Sequence, residues 1–251
     1  MTLERKRRDA GSLQITDRDI AVLSWIAQQY CMSYDQLHRL LAHYGDSPRK
    51  DIEKVSYSAT LNAVQRWLQL GLIDTPQKIL RGHTTHVWLS RRGYHQLGLP
   101  YAYYVPKPSS IPHFYAVNAV RFNLQRFNLS ALWEPERTLK LQSNRHPTPE
   151  TAERQTLPDA ELHVSKVPII AVQVLEQQKL DSIYKLQDAI HTLSVLSMSY
   201  TRLWCFVPYE TITTIQQMVS STHTHMQDRL VWFSTKGKDY SVTEAPMREK
   251  V

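Results

Sequence analysis

Glycine is scarce in this chain, 7 in 251 residues, and no Walker-type phosphate loop or GxSxG nucleophile elbow can be found in it. Cysteine is scarcer. Cys31 and Cys205 are the two present, far apart and in apolar segments, which excludes a disulfide framework or a Cys/His zinc spacing and reads as reduced core thiols. No apolar run approaches the roughly 18 residues that a membrane span requires. The basic N-terminus is not followed by the apolar core of a signal peptide. Internal repeats and low-complexity stretches are also lacking. These absences together lead to the expectation of a cytoplasmic protein with no membrane partner.

What the chain does have is positive charge. A net charge of +7 and a pI near 9.4 favour a polyanionic partner. Arg5, Lys6, Arg7 and Arg8 form a basic arm within residues 1–15. Arg49, Lys50, Lys54, Arg66, Lys78, Arg81, Arg91 and Arg92 follow before residue 100. Solvated surface charge accounts for such a distribution as well as a phosphate contact does.

Local signals then divide the chain. Thr16, with Asp19 three residues on, is an N-cap pattern ahead of Ile20, Leu23, Ile26 and Ala27 at helical spacing. Ser33 caps a second short helix with Leu37, Leu40 and Leu41 as its buried stripe. A third helix starts at Tyr57 or Ser58 and runs through Leu70, with Leu61, Val64 and Leu68 expected inward and Gly71 at its C-cap. Leu72 and Ile73 read as a strand, residues 74–85 as a polar turn-rich loop, residues 86–89 as a second strand, and residues 91–97 as a helix capped by Ser90. Three helices, a hairpin and a further helix, in that order, predict a winged helix-turn-helix over residues 16–99.

On that arrangement the third helix is the recognition element for double-stranded DNA. Thr60, Asn62, Gln65, Arg66 and Gln69 would occupy its outward side; Asn and Gln pair bidentately with adenine, and Arg with guanine. Lys78, Arg81, His83 and Thr84 of the wing would meet phosphates or the minor groove, and Arg49 and Lys50 join the predicted DNA-binding set. A winged helix used for protein contact, with this polar face merely solvated, is the alternative.

Prolines 100, 106, 108 and 112 mark residues 100–112 as an extended connector. Residues 113–127 read as a helix and 133–141 as a strand. Residues 142–155 read as a polar loop, and 156–164 and 167–175 as adjacent strands. A helix over 180–196, a strand over 200–207, a helix over 210–221 and a strand over 230–233 complete a small α/β unit spanning 113–251.

The order of the TDRD segment at 16–19, the GLI strand at 71–73, LSRRG at 89–93, His113 with Asn118, and LPDA at 157–160 resembles the replication-relaxation proteins and the related MobC-type mobilisation relaxases. That resemblance spans most of the chain and implies an α+β architecture: a winged helix followed by a domain similar to the PD-(D/E)XK restriction-endonuclease fold. It implies a protein that recognises an origin-like DNA site and nicks or remodels it, with a relaxosome-type protein or a second copy of itself as partner.

The nuclease fold uses an Asp, a downstream acidic residue and a lysine around Mg²⁺ or Mn²⁺. Asp159 and Glu161, alternate residues on one strand, fit the first position. At the positions where glutamates are expected next, the chain has Gln173, which keeps an oxygen ligand but no charge, and Leu175, which cannot ligate. Glu176 and Lys179 lie nearby but one residue out of strand register. The expected metal set is therefore Asp159, Glu161, Gln173 and Glu176, with Lys179 polarising water or phosphate, in a site that is either rearranged or degenerate. If degenerate, the protein is a non-catalytic DNA-binding adaptor or regulator. The pair His223 and His225 resembles the histidines of tyrosine relaxases, but Thr224 stands where those have a hydrophobic residue; Tyr184 reads as a packing or surface residue.

Overall fold

The computed structural model describes residues 14–45, 54–82, 84–126, 131–145, 156–177, 180–236 and 241–242. The chain has a mixed α and β composition and divides into two compact units, Met1–Val105 and Pro106–Val251. No helix among the described residues is long and apolar enough to cross a membrane.

In the first unit, Thr16 closes a capping box with Asp19 and starts α1 (Asp17–Gln28). Val22, Leu23, Trp25, Ile26 and Ala27 of this helix are buried, whereas Ile20 is exposed. A two-residue strand, β1 (Met32–Ser33), leads directly into α2 (Tyr34–His43), whose first turn is capped by the Ser33 hydroxyl. α3 (Tyr57–Gln69) is capped by Ser56. Gly71, at φ +69°, reverses the chain after it in the left-handed conformation that glycine adopts without penalty. Residue pairs Ile73 with Leu89 and Gln77 with His86 then bridge antiparallel, and β2 (His86–Val87) pairs antiparallel with β1. The result is a two-stranded sheet extended by two isolated bridges, following the three helices. α4 (Arg91–Gln96), capped by Ser90, closes the unit.

Gly93 is obligatory there. A Cβ at this position would sit 1.9 Å from the carbonyl oxygen of Leu72, so α4 can lie on the strand backbone only with glycine at the contact. The proline-rich segment is not a free connector over its first half. Tyr103 donates to Asp74 Oδ2 at 2.6 Å, and the Tyr104 ring meets Tyr30 edge-on at 4.9 Å. Both tyrosines thus belong to the first unit.

The second unit opens with a single turn at Pro108–Ser110 and α5 (Ile111–Arg126). Strand β3 (Leu132–Pro135) gives way at once to α6 (Glu136–Arg145). The expected strand over 133–141 is therefore corrected to four residues of strand and a helix. Pro135 ends the ladder, having no N–H to donate, and Lys140 supports the new helix through an i,i+4 pair with Glu136 at 2.6 Å. β4 (Ala160–His163), β5 (Ile170–Val174), α7 (Ile183–Ser199), β6 (Arg202–Pro208), α8 (Ile212–Thr222), β7 (Leu230–Lys236) and β8 (Ser241–Val242) follow.

The sheet order is β3-β4-β5-β6-β7-β8. The first three strands form an antiparallel meander, and helical crossovers then make β5, β6 and β7 parallel. α5 covers one face with Ala116, Val117, Val120 and Leu124, against Leu162, Val172, Phe206 and Phe233. α7 and α8 cover the other with Leu193, Leu196, Ile215 and Val219, against Ala171, Leu203, Cys205 and Val207. With both faces covered, all five residues of β5 are buried, as expected of a central strand between two helical layers.

Candidate functional site

In the first unit the key geometry lies around α3. Its buried stripe is Thr60, Ala63, Val64 and Trp67; Val64 faces inward as expected, but Leu61 is half-buried and Leu68 exposed. Trp67 takes the inward position because its indole N–H has a buried partner, Asp19 Oδ1, at 2.8 Å. Two predicted base-reading residues are thereby corrected. Thr60 is fully buried, its hydroxyl 2.7 Å from His38 Nδ1. Arg66 reaches back to Asp19 Oδ1 at 2.5 Å. Asn62, Gln65 and Gln69 remain on the exposed side, next to Ser58 and Ala59.

Asp19 is completely buried yet fully provided with donors. The backbone N–H and hydroxyl of Thr16 donate to Oδ2 at 2.9 and 2.8 Å, while Trp67 and Arg66 donate to Oδ1. Burial pushes this carboxyl up, but the hydrogen bonds from Thr16, Trp67 and Arg66 outweigh it and hold the pKa below the usual carboxylate range. At the neighbouring α2–α3 contact, burial pushes the His38 imidazole pKa down.

The hairpin is braced by one acid. Asp74 Oδ2 accepts from Trp88 Nε1 at 2.8 Å and from the Tyr103 hydroxyl. That bond, together with burial, pushes the Tyr103 phenol pKa up. Beyond this brace Lys78 and Arg81 stand exposed near the tip, where Gly82 takes φ +85°. Arg91 and Arg92, at the start of α4, are also exposed. His83, Arg49 and Lys50 lie outside the described residues, as does Lys179 of the second unit.

The second unit does not bring the expected metal ligands together. Asp159 immediately precedes β4 and is buried; its Oδ2 accepts from the Val174 N–H at 2.7 Å, and its Oδ1 lies 2.9 Å from His113 Nε2. Its carbonyl accepts from the Glu136 N–H at 3.0 Å. One aspartate thus ties together α5, β4, β5 and the start of α6. Glu161 belongs to a different group. Its Oε1 accepts from the Tyr200 hydroxyl at 2.6 Å, and its Oε2 lies 3.1 Å from His163 Nε2. Burial, followed by that bond to Glu161, pushes the Tyr200 phenol pKa well up, so it stays a donor.

Gln173 lies on β5, beside the Val174 N–H that Asp159 accepts from, and Glu176 just beyond the strand's end. With Leu175 they line a cavity of about 490 Å³ under α7, where Lys185, Asp188 and Thr192 form the opposite wall. Gln173 Oε1 has no hydrogen-bond partner there, and Leu175 is packed into the core at the position where a ligand was required. Lys185 is held by Asp181 at 2.9 Å. Among the described residues, Asp159, Glu161 and Glu176 therefore do not converge on one point. His223 and His225 lie with ring centroids 5.9 Å apart just past the C-terminal end of α8, and Tyr184 is strongly exposed.

A different group does converge. Among the described residues, Glu134, Glu161 and His163 are the one set of three or more metal-ligating side chains whose ligand atoms all lie within 4.8 Å of one another. Glu134 and Glu161 face each other across the β3–β4 ladder, and Leu132 faces His163. Glu134, His163 and Tyr200 were missed in the sequence. The available signal was the Glu161-x-His163 alternation, which puts both side chains on one face of a strand. Comparison with protein-family models, with curated proteins and with solved structures finds no match for this chain.

Proposed function

We propose that this chain is a double-stranded DNA-binding protein of the replication-relaxation or mobilisation type, whose first unit is a winged helix-turn-helix and whose second unit is a nuclease-like scaffold that does not cut through Asp159. The observation that carries the reading is the first unit's topology. Helix, short strand, two helices, a hairpin paired to that short strand, and a closing helix are the parts of a winged helix in order. Asn62, Gln65 and Gln69 occupy the exposed side of α3, and Lys78 and Arg81 the hairpin tip, which suits base edges for the helix and phosphates for the tip.

The antiparallel meander β3-β4-β5 followed by a helical crossover to parallel β6 supports the nuclease-like reading of the second unit. The dispersal of Asp159, Glu161 and Glu176 favours a scaffold, for a second copy or for a partner protein, over a nickase.

Selection from a randomised duplex pool, followed by affinity measurement in a salt series, tests this. An enriched motif is expected. Asn62→Ala or Gln65→Ala should each cost roughly 1–3 kcal/mol on that motif and little on scrambled duplex. Lys78→Ala or Arg81→Ala should weaken all duplexes alike and reduce the salt slope by about 1. Absence of any enriched motif sinks the recognition reading. Supercoiled plasmid should stay intact with Mg²⁺ or Mn²⁺; nicking by the wild type that disappears in an Asp159→Asn protein of unchanged thermal stability would put the catalytic reading in its place.

A further inference from the structure

We propose that Glu134, Glu161 and His163 form a binding site for a single divalent transition-metal ion, Zn²⁺ by preference. The register of the sheet makes the case first. Glu134 and Glu161 are direct cross-strand neighbours, an arrangement in which two carboxylates repel and destabilise the ladder. A cation between them turns that repulsion into attraction. His163, two residues along from Glu161, projects from the same face of β4 and supplies a nitrogen to the same point.

The distances agree with coordination. His163 Nε2 lies 3.0 Å from Glu134 Oε2 and 3.1 Å from Glu161 Oε2, in contact with both carboxylates, and the atom itself is sealed from solvent. Ligand atoms about 2.0–2.2 Å from a shared ion, at tetrahedral or octahedral angles, stand roughly 3.0–3.5 Å apart. The remaining oxygen of each carboxylate is held from outside the group. The Gln142 amide donates to Glu134 Oε1, and the Tyr200 hydroxyl donates to Glu161 Oε1. Such outer partners fix the orientation of carboxylate ligands, as they do at metal sites generally. One imidazole and two carboxylates leave a coordination position for water. The nitrogen ligand selects Zn²⁺ over Mg²⁺, which takes oxygen ligands.

Isothermal titration of the full-length, chelator-stripped protein with ZnCl₂ is the test. One ion per chain is expected, with affinity reduced about tenfold or more in Glu134→Gln, Glu161→Gln and His163→Ala and unchanged in His225→Ala, which removes the exposed histidine pair. Electron spin-echo spectroscopy of Mn²⁺-loaded wild-type protein requires no variant and should show the nitrogen modulation of one bound imidazole. Absence of stoichiometric Zn²⁺ binding, binding that all three site variants retain, loss confined to His225→Ala, or Mn²⁺ bound without imidazole nitrogen would each overturn the proposal.

Discussion

Asp19 shows how one side chain can decide what its neighbours do. Its four donors come from Thr16, the N-cap of its own helix, and from Arg66 and Trp67 on α3. Asparagine cannot replace it, because an amide nitrogen would confront donors where Asp19 offers only acceptors. Asp19→Asn should destabilise the first unit by about 2–3 kcal/mol in urea unfolding at pH 7. Because the folded pKa lies below the unfolded one, the stabilisation is complete above pH about 4 and disappears as pH falls through the folded value. The gap between wild type and Asp19→Asn should therefore close in acid. Arg66→Ala should likewise lower stability, by about 1–2 kcal/mol, and leave the preferred duplex motif unaltered. A changed motif at full folding would return Arg66 to the reading surface.

At the scale of elements, caps and turns were the most legible features. Thr16, Ser33 and Ser90 cap the helices that their sequence contexts predicted, and Gly71 has the left-handed φ expected after α3. These signals are local, each resting on a side chain and the backbone N–H three residues away. The rotation of α3 was not legible, because it depends on a buried acid more than forty residues earlier. The turn from β3 into α6 was obscured by a run whose alternation fits a strand through Leu141, and the pairing of Glu134 with Glu161 by the separation of their strands in sequence. Gly93 belongs to this scale too. Gly93→Ala forces α4 off the Leu72 carbonyl and should cost about 3 kcal/mol or more of thermal stability, whereas alanine at Gly82, where nothing lies nearby, bears only the penalty of its φ.

At the scale of the whole molecule, the two units differ in how they handle polar groups. The first gathers its buried acid and indoles into short bridges between elements and leaves amides and cations at its periphery. The second spends Asp159 on holding α5, β4 and β5 together, and carries its convergent carboxylates on the β3 side of the sheet. Recognition and any metal chemistry would thus reside in separate units of one chain.

Each unit also contains one of the two cysteines, Cys31 in the first and Cys205 in the second, both buried and both with thiols pushed to high pKa by that burial. A thiol reagent can reach either sulfur only when the surrounding unit opens. The native chain therefore carries two internal clocks. Single-cysteine variants, Cys31→Ser and Cys205→Ser, should modify at rates that report the opening of one unit each. Gly93→Ala should accelerate labelling of Cys31 while leaving Cys205 at its wild-type rate, and equal acceleration at both would mean that the two units open as one.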